Sequence, residues 1–221
     1  MNLSKTFSFL LLSSFFVVHG FAGKLIRFSK DGKVGYKDTL GSVIVEPTYD
    51  EGSEFLNGVA IVVKDNLQGY LDSSGLEFIP PQYEEASPFF YGLACVKTNG
   101  KYGFVGSKGE ILIKTMYDKA FSFSDGYARV QMDKMWGFIN KKGFQVISCI
   151  YVEASDFSNG MAAVSNGVHF GYIARNGKTI LPFEYESATG FTANQATIKK
   201  GGEMYLIDRT GKILGKANAR K

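Results

Sequence analysis

Met135-Trp136-Gly137-Phe138-Ile139-Asn140-Lys141-Lys142-Gly143 decides the fold, because its pattern returns along the chain at a fixed interval of 34 residues. Gly137 has counterparts at Gly35, Gly69, Gly103 and Gly171, with Tyr205 in the sixth place. Gly143 belongs to a second series: Gly41, Gly75, Gly109, Gly177 and Gly211. Further out, Tyr49, Tyr83, Tyr117, Tyr151 and Tyr185 keep the same interval, as do Phe55, Phe89, Phe123, Phe157 and Phe191. Ala60, Ala94, Ala128, Ala162 and Ala196 make a fifth column. Five columns sharing one period without an insertion mark a tandem repeat.

Each unit reads as short strands and tight turns. Gly137-Phe138-Ile139 and its counterparts form one strand; Asn140-Lys141-Lys142-Gly143, like Asp72-Ser73-Ser74-Gly75, forms a type I turn closed by a left-handed glycine. A second strand follows, as in Ile111-Leu112-Ile113 or Val146-Ile147. The Ala column lies on a third strand, which enters the next Gly-aromatic strand through Asp31-Gly32, Asp65-Asn66, Asn99-Gly100 or Gly201-Gly202. Those pairs suit the positive φ angles of a primed hairpin turn. The phase predicts six three-stranded antiparallel meanders beginning near residues 26, 60, 94, 128, 162 and 196. Five linkers of the form Tyr-acid-x-x-x-x-Phe join them, and residues 215–221 read as a flexible basic tail.

Alternation places Tyr36, Tyr70, Phe104, Phe138 and Tyr172 on one face of the meander and the repeated Gly with an aliphatic residue on the other. A large ring beside a repeated Gly suggests rings of one element covering bare backbone of another, and the Ala column permits close approach. With both faces partly apolar, a meander is buried only by its neighbours. The reading is all-β: an open, β-solenoid-like array, with a closed six-bladed small propeller as the alternative. Propeller blades usually take about 40–45 residues, more than this unit offers.

Composition agrees: 26 Gly with 19 Phe and 12 Tyr fit short strands and tight turns. At the N-terminus, Lys5 precedes an apolar and serine run from Phe7 to Val18, with Gly20, Ala22 and Gly23 after it, which reads as a signal peptide over residues 1–20. The alternative is an uncleaved anchor, although the run is short for a permanent span. Cleavage removes Lys5 and no acid, taking the formal charge from +4 to +3, with lysines scattered among acids. That balance does not predict nucleic-acid binding. The expected location is secreted or periplasmic. Cys95 and Cys149 sit in apolar strand contexts and read as buried thiols, though sequence alone leaves their pairing open.

These residues resemble the bacterial WG-repeat (KWG-repeat) family, whose unit runs Trp-Gly-aromatic-Ile-Asp-x-x-Gly, an aliphatic strand, Pro-x-Tyr-Asp, then Phe-x-x-Gly-x-Ala-x-Val. The resemblance spans about residues 24–214. Only Trp136 keeps the Trp, and Pro survives only at Pro47 and Pro81. It implies a β-repeat module common in exported or envelope proteins, without a shared active site.

Chemistry is sparse. His19 falls in the signal, so His169 is the one histidine of the mature chain and reads as a solvated turn residue. No metal-ligand spacing, nucleophile elbow or phosphate loop is present, and no cofactor is expected. Asp50, Glu84, Asp118 and Glu186 follow the repeated Tyr, with Glu51, Glu85 and Glu153 beside that column. Their recurrence in nearly every unit suits turn hydrogen bonding better than one catalytic pair. For binding, Phe90 and Tyr91 stand out, because other linkers carry Ser124-Asp125 and Ser158-Asn159 there. The expectation is an exported scaffold, not an enzyme, binding a protein or envelope polymer. The alternatives are a carbohydrate-active enzyme using linker carboxylates and a purely structural envelope component.

Overall fold

The computed structural model describes residues 24–217, so the expected signal segment 1–20 lies outside the described residues. The chain forms six antiparallel sheets in strict sequence order, and no helix occurs among the described residues. Sheet 1 holds Ile26–Lys30, Lys33–Lys37 and Val43–Tyr49. Sheet 2 holds Glu51–Gly52, Val59–Lys64, Leu67–Asp72 and Glu77–Tyr83. Sheet 3 follows with Glu85–Ala86, Leu93–Thr98, Lys101–Gly106 and Ile111–Tyr117. Sheet 4 comprises Lys119–Ala120, Tyr127–Met132, Met135–Asn140 and Gln145–Tyr151. Sheet 5 comprises Glu153–Ala154, Met161–Ser165, Phe170–Ala174 and Thr179–Tyr185. Sheet 6 comprises Ser187–Ala188, Gln195–Lys200, Glu203–Asp208 and Ile213–Lys216.

The meanders thus sit where the period puts them, but sheets 2 to 6 have a fourth strand. The linker after each repeated Tyr supplies two residues that pair with the Ala strand, as Glu85↔Lys97 and Ala86↔Val96 do. Two residues carry no periodic signal, so the linker reads as irregular in sequence. The last strand reaches Lys216, and the Ala217 N–H donates to the Met204 carbonyl. The first residues of segment 215–221 therefore belong to sheet 6.

The core is a set of interfaces between successive sheets. Tyr36 and Tyr49 of sheet 1 pack with Ala60, Val62 and Leu71 of sheet 2. The same arrangement repeats with Tyr70 against Ala94 and Val105, Phe104 against Ala128 and Ile139, Phe138 against Ala162 and Ile173, and Tyr172 against Ala196 and Ile207. Each ring also meets the repeated Phe in the loop of the next sheet: Tyr36–Phe55 at 5.2 Å, Tyr70–Phe89 at 4.9 Å, Phe104–Phe123 at 5.0 Å, Phe138–Phe157 at 4.6 Å and Tyr172–Phe191 at 5.0 Å between centroids. Where the ring is Tyr, its hydroxyl donates across the same boundary, to the carbonyls of Ser53, Ser87 and Thr189.

No sheet closes into a barrel, and among the described residues no hydrogen bond, ion pair or core cluster joins sheet 1 to sheet 6. The array is open among the described residues, and its first and last sheets differ from the inner ones. Lys37 stands where Leu71, Val105, Ile139, Ile173 and Ile207 are buried, and its ammonium lies 5.7 Å above the Phe28 ring. At the other end, exposed Gln195 takes the place of Val59, Leu93, Tyr127 and Met161. Lys37 and Gln195 thus bring polar groups to face positions that are apolar between sheets, although Ile26 beside Lys37 remains an exposed apolar residue.

The repeated Gly serves a different purpose from the one its neighbouring rings suggest. Tyr102 pairs with Tyr117 and Phe104 with Ile113, so the outer strand carries extra residues opposite Gly103. A Cβ on Gly103 would lie 2.5 Å from the Ile113 carbonyl oxygen, and Gly69 and Gly137 face the equivalent Ile79 and Ile147 oxygens at the same distance. What covers the Gly is thus the bulged strand of its own sheet, not a ring from another. Tyr205 explains itself by the same rule: Tyr205↔Lys216 and Leu206↔Gly215 are consecutive pairs, so no bulge opposes it. Gly103→Ala is expected to lower unfolding stability by about 1–3 kcal/mol through overpacking. Urea denaturation measures this, and an unchanged midpoint would refute the bulge account.

Candidate functional site

The recurrent acids are turn anchors. Asp50 accepts the Asp65 N–H at 2.8 Å and the Lys33 ammonium, and Asp118 accepts the Asp133 N–H at 2.8 Å and the Lys101 ammonium. Glu84 takes the Gly100 N–H, and Glu186 takes the Gly202 N–H. Each therefore holds the primed turn of its own sheet. Val152 breaks the column, and there the turn carries its own anchor, with Asn166 Oδ1 accepting the Val168 and His169 N–H groups. His169 is exposed in that turn. The ammonium partners and turn amides hold Asp50 and Asp118 below the usual carboxylate range, and the Gly202 amide with Lys199 does so for Glu186. Glu85 is lowered by Lys97 and the Tyr102 hydroxyl.

In each of sheets 2 to 6 the linker forms a two-residue primed turn, bridged as Leu56↔Val59, Phe90↔Leu93, Ser124↔Tyr127, Ser158↔Met161 and Thr192↔Gln195. In the C-terminal half these turns are wired to one another. Asp125 accepts the Gly160 N–H and pairs with Arg175, Arg209 donates to the Asn159 carbonyl, and the Asn159 amide donates to the Ala193 carbonyl. Phe90 and Tyr91 occupy the same places without such bonds. Tyr91 is 71% exposed with φ +53°, a left-handed conformation that its counterparts Asn57, Asp125 and Asn159 adopt more readily and that the small Ala193 shares. Lys141 lies 4.1 Å from its ring centroid, and Phe90 is 41% exposed.

The other feature is a cleft of about 610 Å³ between the short first strands of sheets 3 and 4, lined by Glu85, Lys97, Tyr102, Lys119 and Phe121 with Cys95 in its wall. Glu85 accepts from Lys97 and from the Tyr102 hydroxyl, both at 2.7 Å. Phe121 replaces the hydroxyl of Ser53, Ser87, Ser155 and Thr189, which in the other units accepts a neighbouring strand N–H, as Ser87 Oγ does from Cys95. Instead, the Arg129 guanidinium stacks on Phe121 at 4.1 Å and on Trp136 at 4.8 Å, anchored by Asp156 and the Ala154 carbonyl. The sequence reading passed over Lys119 and Phe121 because they fall among the unspecified linker positions. Comparison down their columns is the signal that finds them.

Cys95 and Cys149 are both free thiols. Burial pushes Cys95 up to about 12 and raises Cys149, so neither is a ready nucleophile. Among the described residues no group of three His, Cys, Asp or Glu is placed to hold a metal ion, and no helix is long and apolar enough to cross a membrane. The structural columns behave as ladder and core: Trp136↔Tyr151, Tyr102↔Tyr117 and Val34↔Tyr49 resume pairing beyond each bulge, and Tyr83 and Tyr185 do likewise opposite Gln68 and Phe170.

A profile described as WG containing repeat matches residues 35–67, 69–102, 102–136, 136–167 and 170–203. The chain belongs to the WG-repeat family. No curated protein matches it. Among solved structures, one described as the eukaryotic initiation factor superposes with a TM-score of 0.53 at 9% identity, covering 86% of this WG-repeat chain and 62% of that one. Hsv2 of Kluyveromyces lactis gives 0.48 at 8% identity, covering 84% and 70%. These neighbours are propeller-like, and at such identity the likeness concerns the fold alone.

The depressed carboxyls of Asp50, Asp118 and Glu186 make a signed prediction. A lowered folded-state pKa gives stability that is present above the unfolded carboxyl value and lost as pH falls through the folded value. Thermal midpoints should therefore drop on acidification below about pH 4, and Asp50→Asn, Asp118→Asn and Glu186→Gln together should flatten that drop. An acid limb of unchanged steepness would show that the turns do not depend on these groups.

Proposed function

We propose that this WG-repeat chain is an exported, non-catalytic scaffold that docks a protein or polymer of the cell envelope through Phe90 and Tyr91. The observation that carries this reading is Tyr91 itself. A left-handed backbone under a side chain other than Asn or Asp costs about 1–2 kcal/mol; three of the four equivalent turns avoid that cost with Asn57, Asp125 and Asn159, the fourth places the small Ala193 there, and only Tyr91 puts a large exposed ring on it. Backbone strain at an exposed aromatic residue is a mark of function. A projecting ring pair on a turn suits insertion into a partner's pocket, the pattern of an interface anchor. The turn-anchoring bonds of Asp50, Asp118 and Glu186, whose partners hold these carboxyls below their usual range, support a protein without a reaction of its own. The apolar run from Phe7 to Val18 supports export with removal of residues 1–20, to the periplasm or outside the cell, leaving no membrane span.

Tyr91→Asn supplies the residue found at Asn57 and Asn159 in sister turns. It is expected to raise unfolding stability by about 1 kcal/mol as the strain is released, and to abolish stoichiometric co-purification of the partner cross-linked in the envelope fraction. Lower stability with retained partner would remove Tyr91 from the docking surface. Intact mass of the exported chain should correspond to a start at Phe21; a cytoplasmic chain retaining residues 1–20 would contradict export.

A further inference from the structure

The cleft between sheets 3 and 4 lies apart from the docking turn, since neither Phe90 nor Tyr91 lines it. From its lining we infer a saccharide-binding site that takes an acidic sugar chain, with a sugar ring on Phe121 and its carboxylate on Lys119. Its volume of about 610 Å³ falls within the range of small-ligand sites.

Three observations lead to that ligand. First, Phe121 is 41% exposed although it displaces a hydroxyl that the other units use to bind a strand N–H. Its ring is fixed by Arg129, which Trp136 and Asp156 fix in turn. A held ring lining a polar cleft is a platform for the flat C–H face of a pyranose. Second, Lys119 reverses the charge of its column, where Glu51, Glu85 and Glu153 stand in other units. Lys97 is paired with Glu85 and Lys101 with Asp118, whereas Lys119 has no ion pair among the described residues. An ammonium without a partner beside the platform calls for an anionic group on the ligand. Third, Glu85 is set by two donors and keeps acceptor capacity for sugar hydroxyls.

An extended peptide fits less well. Strand addition needs a row of free backbone groups, but the edges here, Glu85–Ala86 and Lys119–Ala120, are two residues each, and the Ala86 N–H is already taken by Gln68 Oε1 at 2.6 Å.

The test is calorimetric titration of the full chain with a short oligouronate and with its methyl ester. The acid form should bind about tenfold or more tightly than the ester, as expected for loss of a charged hydrogen bond. Lys119→Glu and Phe121→Ser install the residue types of sister units. The first should remove the preference for the acid, and the second should weaken both sugars by about tenfold, with thermal unfolding still cooperative in each. Tyr91→Asn should change neither affinity, which keeps this site separate from the docking turn. No binding of either sugar, equal binding of acid and ester, or loss of sugar binding in Tyr91→Asn would each overturn the assignment.

Discussion

One aromatic contact, made five times, holds the array together. A ring on the third strand of one sheet, or the second in sheet 1, meets a Phe in the loop of the next sheet at 4.6–5.2 Å. Such pairs contribute about 0.5–1.5 kcal/mol beyond the area they bury. Because the partners come from different units, the contact exists only between neighbours. Small residues of the Ala column and aliphatic residues such as Val105 and Ile139 complete each interface, and every one of them is nearly inaccessible. Stability is then a property of boundaries.

The backbone serves that contact. The bulge opposite each repeated Gly bends the outer strand and lets it return to register at the repeated Tyr. From there the chain passes at once into the two-residue strand of the next sheet, and then into the loop that carries the Phe. The acid after the Tyr ties this crossing to the primed turn of its new sheet. Gly, Tyr, acid and Phe are thus successive fixings of one passage between sheets. Sheet 6 shows Gly and bulge changing together: Tyr205 stands in the Gly place, and Tyr205↔Lys216 and Leu206↔Gly215 pair consecutively opposite it.

Much of this is legible in the sequence. The period, the three main strands and both turn types follow from residue columns, because Gly, Asp and Asn at fixed places state backbone angles directly. The bulge is not legible, since the spacing between Gly and Tyr is the same whether or not the strand opposite is regular; the reading therefore assigned the Gly to ring packing. The linker's two-residue strand is too short for any alternation. As for the sites, Phe90 and Tyr91 stood out by residue type, but the left-handed backbone of Tyr91 needs coordinates. Lys119 and Phe121 were masked by a linker pattern that treated four positions as unspecified, and only the cleft between sheets gives them a common setting.

A double-mutant cycle on the Phe104–Phe123 pair tests the central claim most directly. Phe104→Leu, Phe123→Leu and the double variant are compared by urea unfolding. Coupling of about 0.5–1.5 kcal/mol is expected for rings that support each other across the boundary. Strictly additive losses would mean that each ring merely fills its own unit, and the stacked array would need another source of cohesion.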